Sequence, residues 1–221
     1  MIEQRLPVHG FVLAGGKSSR MGRDKALLEL GGQPMVQIAI EKLRSVCADV
    51  SIVGNRDDLS GFAEVVRETR MNAGPAAGIE SGLHQARQAW ALFIPVDVPL
   101  VPAELLRRWC GEALRVNMTV SYLGISEKQP AFCLLRRERS AAFTRLLDEG
   151  ERRLEVLLNR TAEADDCRAW MYDEYDLYGY PEYRGPDGET LERWFTNVNT
   201  PEELAAAERW LAEERASGGS R

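Results

Sequence analysis

An apolar run that ends on two glycines constrains this chain more than any other feature. Val8 to Ala14 (Val-His-Gly-Phe-Val-Leu-Ala) reads as a buried strand. Gly15-Gly16 follows, and the stretch through Asp24 reads as a loop. Glycines there let the backbone approach a ligand closely, and successive N–H groups in such a loop form an anion-binding concavity. Lys17, Arg20, Arg23 and Lys25 place four cations within nine residues. A solvated basic turn is the plain alternative. The segment is not a P-loop: the first glycine of G-x-x-x-x-G-K-[ST] would fall at Phe11, where a bulky strand residue cannot make the turn. No G-x-G-x-x-G is present, which disfavours a dinucleotide oxidoreductase.

Beyond the loop, strands and helices alternate. Gly31-Gly32 is a turn, and Pro34 opens a helix with Val36, Ile40, Leu43 and Val46 near the helical period. Val50 to Val53 is a strand ending at Gly54-Asn55, and Val65-Val66 is a short third. Gly74-Pro75 opens a helix with Ile79, Leu83 and Ala86 on one face; Trp90 to Val96 is the next strand, and Pro102 begins another helix. This alternation predicts an α/β domain with a mainly parallel sheet. Met118 to Tyr122 and Ala131 to Leu135 read as further strands, Ser140 to Leu147 and Arg153 to Leu158 as helices. Tyr172 to Tyr183 holds five of the six tyrosines and reads as a surface excursion. Thr200-Pro201-Glu202-Glu203 is a capping box for a helix with Leu204, Ala207 and Leu211 on one face. With no repeat or linker to divide it, the chain is expected to be one domain over 1–216, with a flexible tail at 217–221.

Composition excludes several classes. The 221 residues, 44% hydrophobic and 28% charged, suffice for a sizeable core without staples. The four cysteines are scattered and there are two histidines, so no zinc cage is readable; free thiols in a reducing cytoplasm are expected. The first residues lack a signal peptide's apolar core, and the run from Ala89 to Val96 is far short of the ~20 residues a membrane span needs. A net charge of −6 disfavours a nucleic-acid partner. The first thirty residues nevertheless carry five Lys/Arg against three acids, a local anion site on an acidic protein.

Two further segments carry chemistry. In Ile94-Pro95-Val96-Asp97-Val98-Pro99 an acid ends an apolar strand, where α/β sheets bind ligands, and the prolines keep the segment extended. Asp97 reads either as a cap for the helix after Pro102 or, beside a cationic phosphate loop, as a ligand for magnesium, which favours hard carboxylate oxygens plus substrate phosphates. In Gly74 to Gly82 the small residues Ala77, Gly78, Ser81 and Gly82 allow either close approach of something flat or tight helix–sheet packing.

Leu13-Ala14-Gly15-Gly16-Lys17-Ser18-Ser19-Arg20-Met21-Gly22-Arg23-Asp24-Lys25 resembles the signature of the molybdenum cofactor guanylyltransferases. Gly74-Pro75-Ala76-Ala77-Gly78, Val96-Asp97-Val98-Pro99, Gln129-Pro130, Gly150-Glu151-Arg152-Arg153 and Asn197-Val198-Asn199-Thr200-Pro201-Glu202-Glu203 match later motifs of that family in order. The resemblance runs from about Val8 to Leu211. It implies a three-layer, Rossmann-like nucleotidyltransferase fold and transfer of GMP from GTP to the terminal phosphate of molybdenum-carrying molybdopterin. Pyrophosphate is the second product and magnesium the cofactor. By that resemblance, Leu13, Ala14, Gly15 and Gly16 meet the nucleotide, as do Gly74, Pro75 and Gly78. Arg20 and Lys25 face the phosphates, Asp97 holds the metal, and Gln129, Pro130, Asn197 and Asn199 lie toward the pterin. A molybdoenzyme or a chaperone would be a fitting protein partner.

Two departures bear on the base and ribose. Val53 stands where the family often has asparagine, with Asn55 two positions on as a substitute; Glu68 stands where it often has aspartate. The alternatives are transfer from CTP to molybdopterin, from another NTP to a sugar phosphate, or a non-catalytic nucleotide-binding regulator.

Overall fold

The computed structural model describes residues 4–15, 24–71, 73–125, 127–164, 167–178 and 188–218. Its strands are β1 (Leu6–Leu13), β2 (Glu29–Leu30), β3 (Gln33–Pro34), β4 (Cys47–Val53), β5 (Glu64–Val66), β6 (Trp90–Pro95), β7 (Val120–Leu123), β8 (Gln129–Arg136) and β9 (Trp170–Tyr172). Its α-helices are α1 (Met35–Val46), α2 (Pro75–Gln85), α3 (Ala103–Arg115), α4 (Ser140–Asp148), α5 (Leu154–Glu163), α6 (Glu174–Tyr178), α7 (Gly188–Trp194) and α8 (Pro201–Gly218).

Seven strands form one sheet in the order β5-β4-β1-β6-β8-β7-β9, and β2-β3 is a separate hairpin. Every pairing in the large sheet is parallel except the two made by β8. The chain winds outward from β1 to β4 and β5, then returns to place β6 on the other side of β1. That reversal opens a crevice at the carboxyl ends of β1 and β6, the usual ligand position in open α/β sheets.

The sheet separates two apolar layers. One holds Val8, Val12 and Leu92 with α1 and α3; the other holds Phe11, Phe93 and Leu135 with α2, α4 and α5. In α1 the buried residues Val36, Ile40, Leu43 and Val46 follow the helical repeat, and each fully buried side chain contributes roughly 1.5–3 kcal/mol. The architecture is the expected three-layer α/β fold with a mostly parallel sheet.

Two segments differ from the sequence reading. Tyr172 does not begin a surface excursion: Trp170–Tyr172 pairs with β7, and Tyr172 and Leu177 are fully buried. Tyr175 is exposed, and residues 179–183 lie outside the described residues. Of the expected tail, 217 and 218 continue α8, and 219–221 lie outside the described residues. No described helix is long and apolar enough to cross a membrane.

At the other end of β1, His9 is buried. The Arg87 N–H donates to His9 Nδ1 (3.1 Å), so Nε2 carries the proton and donates to Ser51 Oγ (3.0 Å). Asp49, Glu64 and the Arg87 guanidinium surround this pair, but burial dominates and lowers the imidazole pKa below its ordinary value. Between the folded value and about 6.5 the unfolded chain binds the extra proton, so stability is fully present above that range and falls as pH drops through it. The melting temperature is expected to decline from pH 7.5 to pH 5.5, and His9→Gln to flatten that decline. An unchanged slope in the variant contradicts the assignment.

Candidate active site

The carboxyl ends of β1, β4 and β6 come together. Leu13 is paired with Val53 on one side and Pro95 on the other. The Ala14 N–H donates to Val53 O (3.0 Å) and the Val96 N–H to Leu13 O (3.2 Å), so both strand exits are fixed against β1. Gly54 has φ +152°, and a Cβ there would lie 3.1 Å from Gly15 N, so glycine is needed where the β4 exit crosses the start of the loop. Gly74, at φ +58°, turns the chain into α2.

These exits surround a cleft of about 620 Å³, within the usual range for small-molecule sites. Leu13, Ala14, Gly15, Lys25, Gly74 and Pro75 line it, as do Asp97, Glu68, Gln129 and Asn197. Gly16 and Arg20 lie outside the described residues.

At the centre, Lys25 Nζ lies 3.7 Å from Asp97 Oδ2 and donates to Asn199 Oδ1, with both charged side chains about a quarter exposed. Chain segments far apart in sequence therefore meet on one ammonium. Asn199 is held firmly: its N–H and that of Thr200 donate to Glu203 Oε2 (2.6 and 2.9 Å), and the Glu203 N–H returns to Thr200 Oγ1 (3.2 Å). This is the capping box the sequence announced. The Val198 N–H donates to Asp97 O (2.8 Å), laying the Asn-Val-Asn segment along the β6 exit. Asp97 does not cap α3, whose N-cap is Pro102.

Asp24 caps the short turn Lys25–Leu27, accepting from the Ala26 N–H at 3.0 Å. Glu68 lies against Gly15 and Gly78 and accepts no hydrogen bond from the described residues; burial pushes its pKa up. A Cβ on Gly15 would run into the Glu68 carboxylate.

Of the described residues expected at the site, Asn55, Gly78, Pro130 and Asn199 do not line the cleft. Asn55 is exposed and off the cleft wall; the next residue, Arg56, lines it instead. Gly78 packs beneath the wall, where a Cβ would lie 3.0 Å from Leu13 and 3.2 Å from Val53. Pro130 belongs to β8 beside the lining residues Gln129 and Ala131, without lining the cleft itself. Val53 is fully buried and offers no polar contact where the resemblance expects asparagine. Arg56 was legible only through its place just past a strand end.

Among the described residues no three His, Cys, Asp or Glu side chains converge on a point. The cleft's acids are Asp24, Glu68 and Asp97. Asp24 is engaged with Arg56, Glu68 lies against Gly15 and Gly78, and Asp97 stands at the β6 exit beside Lys25. One carboxylate completed by substrate oxygens is a donor set that fits magnesium and not a closed zinc site. Neither histidine is in the cleft: His9 is in the core and His84 bonds Thr144 at 3.0 Å.

A mostly parallel sheet whose strand order reverses beside a lysine and a strand-end acid is an architecture that takes ligands at its switch point. Residues 10–164 match the MobA-like NTP transferase domain family. The molybdenum cofactor guanylyltransferase of Vibrio atlanticus is 33% identical over 198 residues, covering 87% of this chain and 91% of that one. The protein of the same name from Polynucleobacter asymbioticus is 30% identical over 218 residues, covering 92% and 97%. The chain belongs to the molybdenum cofactor guanylyltransferase family. Its fold is similar to that of molybdopterin-guanine dinucleotide biosynthesis protein A from Archaeoglobus fulgidus, with a TM-score of 0.72 at 21% identity over 93% of this chain and 99% of that one.

Proposed function

We propose that this enzyme transfers GMP from GTP to the terminal phosphate of molybdenum-carrying molybdopterin. The observation that carries the reading is the junction of Lys25, Asp97 and Asn199 at a cleft that Gly15, Gln129 and Asn197 also line. An oxygen of the acceptor phosphate attacks the α-phosphorus of GTP, the bond from that phosphorus to the bridging oxygen breaks, and pyrophosphate leaves. The nucleophile is already an anion, so no general base is required, and a cleft without histidine is adequate. Catalysis rests on positioning and charge neutralisation.

The backbone of Leu13, Ala14, Gly15 and Gly16 holds the nucleotide, with Gly74 and Pro75 opposite. Arg20 and Lys25 face the phosphates. Magnesium, when bound, offsets repulsion between the phosphates and stabilises departing pyrophosphate, with Asp97 as its protein ligand. Gln129 and Asn197 border the acceptor. Asn199 supports this side through Lys25, so its substitution affects the phosphates as well as the pterin. The free thiols, three of them buried, suit a cytoplasmic setting.

Glu68 supports the choice of GTP. The Watson–Crick edge of guanine presents two adjacent N–H donors that one carboxylate accepts together. Adenine and cytosine place a ring acceptor beside their amino group and leave the carboxylate facing a lone pair. In magnesium, GTP is expected to raise the melting temperature more than CTP or ATP, and Glu68→Gln to narrow that gap. Equal stabilisation by all three nucleotides rules the preference out.

A further inference from the structure

Arg56 stands two residues past Gly54 and lines the cleft with Asp24 and Lys25. Its side chain is 17% exposed and its guanidinium spans two acids. Nε and Nη2 donate to Asp58 Oδ1 (2.9 Å) and Oδ2 (2.6 Å). Nη1 donates to Asp24 Oδ1 (2.9 Å), and Nη2 pairs with Asp24 Oδ2. Asp24 Oδ1 is also the oxygen that accepts the Ala26 N–H and so caps the turn carrying Lys25. We infer that Arg56 is a positioning residue: it holds Asp24, Asp24 holds the Lys25 turn, and the Lys25 ammonium is thereby set against Asp97 and Asn199. This rests on the reading that Lys25 faces the nucleotide's phosphates.

Three observations carry it. First, Asp24 is 37% exposed, so its carboxylate would be free to turn toward water if nothing held both oxygens. A planar guanidinium fixes both; a lysine ammonium, a point charge on a flexible stem, does not. Second, the anchor is firm. The Gly54 N–H donates to Val66 O (3.0 Å), the Leu59 N–H donates to Arg56 O (3.0 Å), and Leu59 is fully buried. Third, Arg56 is not poised as a phosphate ligand. Two carboxylates already over-neutralise its charge, and reaching a phosphate would break their hydrogen bonds.

The test has one arm without substrate and one with it. In the ligand-free full chain, amide exchange at Ala26 is followed by NMR in wild type, Arg56→Ala and Arg56→Lys. Both variants are expected to exchange Ala26 faster, Arg56→Ala by about 10-fold for loss of one capping bond. Ala14, bonded to Val53 O, stays within about 2-fold, as local opening requires. In the second arm, pyrophosphate release is measured with saturating GTP and molybdopterin. Arg56→Ala is expected to lower kcat about 10-fold, and by less than about 2-fold in a Lys25→Ala background, as coupled positions require.

Unchanged Ala26 exchange, or the same loss in both backgrounds, overturns the inference. If Arg56→Ala melts below the assay temperature, Arg56→Lys carries both comparisons. A wild-type enzyme that releases no pyrophosphate refutes the functional reading instead, and the exchange arm still decides what Arg56 does.

Discussion

Asp97→Asn is expected to fold and to lose about 100-fold or more of its magnesium-dependent turnover, the scale of losing a preorganised charge in a polar-transfer site. Two anionic phosphates must approach for this reaction, and their repulsion is the main obstacle. A magnesium ion bound here would offset that repulsion, and the Asp97 carboxylate at the β6 exit would supply its hard oxygen ligand. Asparagine preserves size and removes that charge. The fold should tolerate the change, because the structural tie at this position is the backbone: Asp97 O accepts the Val198 N–H whatever the side chain is. The pair with Lys25, at 3.7 Å and about a quarter exposed, contributes at most roughly 1 kcal/mol. Binding of Mg-GTP should weaken, most clearly as a flattened dependence on magnesium concentration. A folded Asp97→Asn protein with wild-type magnesium dependence would falsify the assignment.

Lys25→Ala is expected to cost roughly 100-fold in turnover with both substrates saturating, since a fixed cation acts most where charge redistributes in the transition state. The side chain does not hang in solvent. Its turn is capped by Asp24, and its ammonium is held by Asp97 and Asn199. Removing it leaves Asp97 without its counter-charge in the cleft, so GTP affinity should fall as well. Loss of a quarter-exposed lysine should shift stability by no more than about 1 kcal/mol. Near-wild-type turnover in a folded Lys25→Ala protein would show that the ammonium does not face the reacting phosphates.

The central strands were legible because burial on both faces leaves continuous apolar runs, as in Val8 to Ala14 and Trp90 to Val96. The start of α8 was legible because Thr200 and Glu203 sit at capping-box spacing. The reversed direction of β8 was not, since an apolar run looks the same in either direction. Its short connection from β7, too short for a parallel crossover, was the available clue. Tyr172 was misread because its polar, aromatic neighbours resemble a surface loop, while a three-residue edge strand is too short to show periodicity.

In the site, the glycine loop, Lys25 and Asp97 were visible as strand-end residues of the right chemistry. What joins them was not. The contact of Lys25 with Asn199 spans 174 residues, and no local pattern encodes it. Arg56 was passed over for Asn55, one residue earlier, because a resemblance supplies residue types while the backbone at Gly54 decides which one reaches the cleft.

The most direct measurement of the central claim incubates the purified protein with magnesium, molybdenum-loaded molybdopterin and GTP, CTP or ATP in turn. Pyrophosphate is followed over time and the pterin product is weighed by mass spectrometry. The expected result is pyrophosphate release that requires the pterin, is fastest with GTP, and matches mole for mole a product heavier by one GMP residue. Release with CTP in preference to GTP, or a GMP-modified product formed equally well without Lys25 and Asp97, would contradict it.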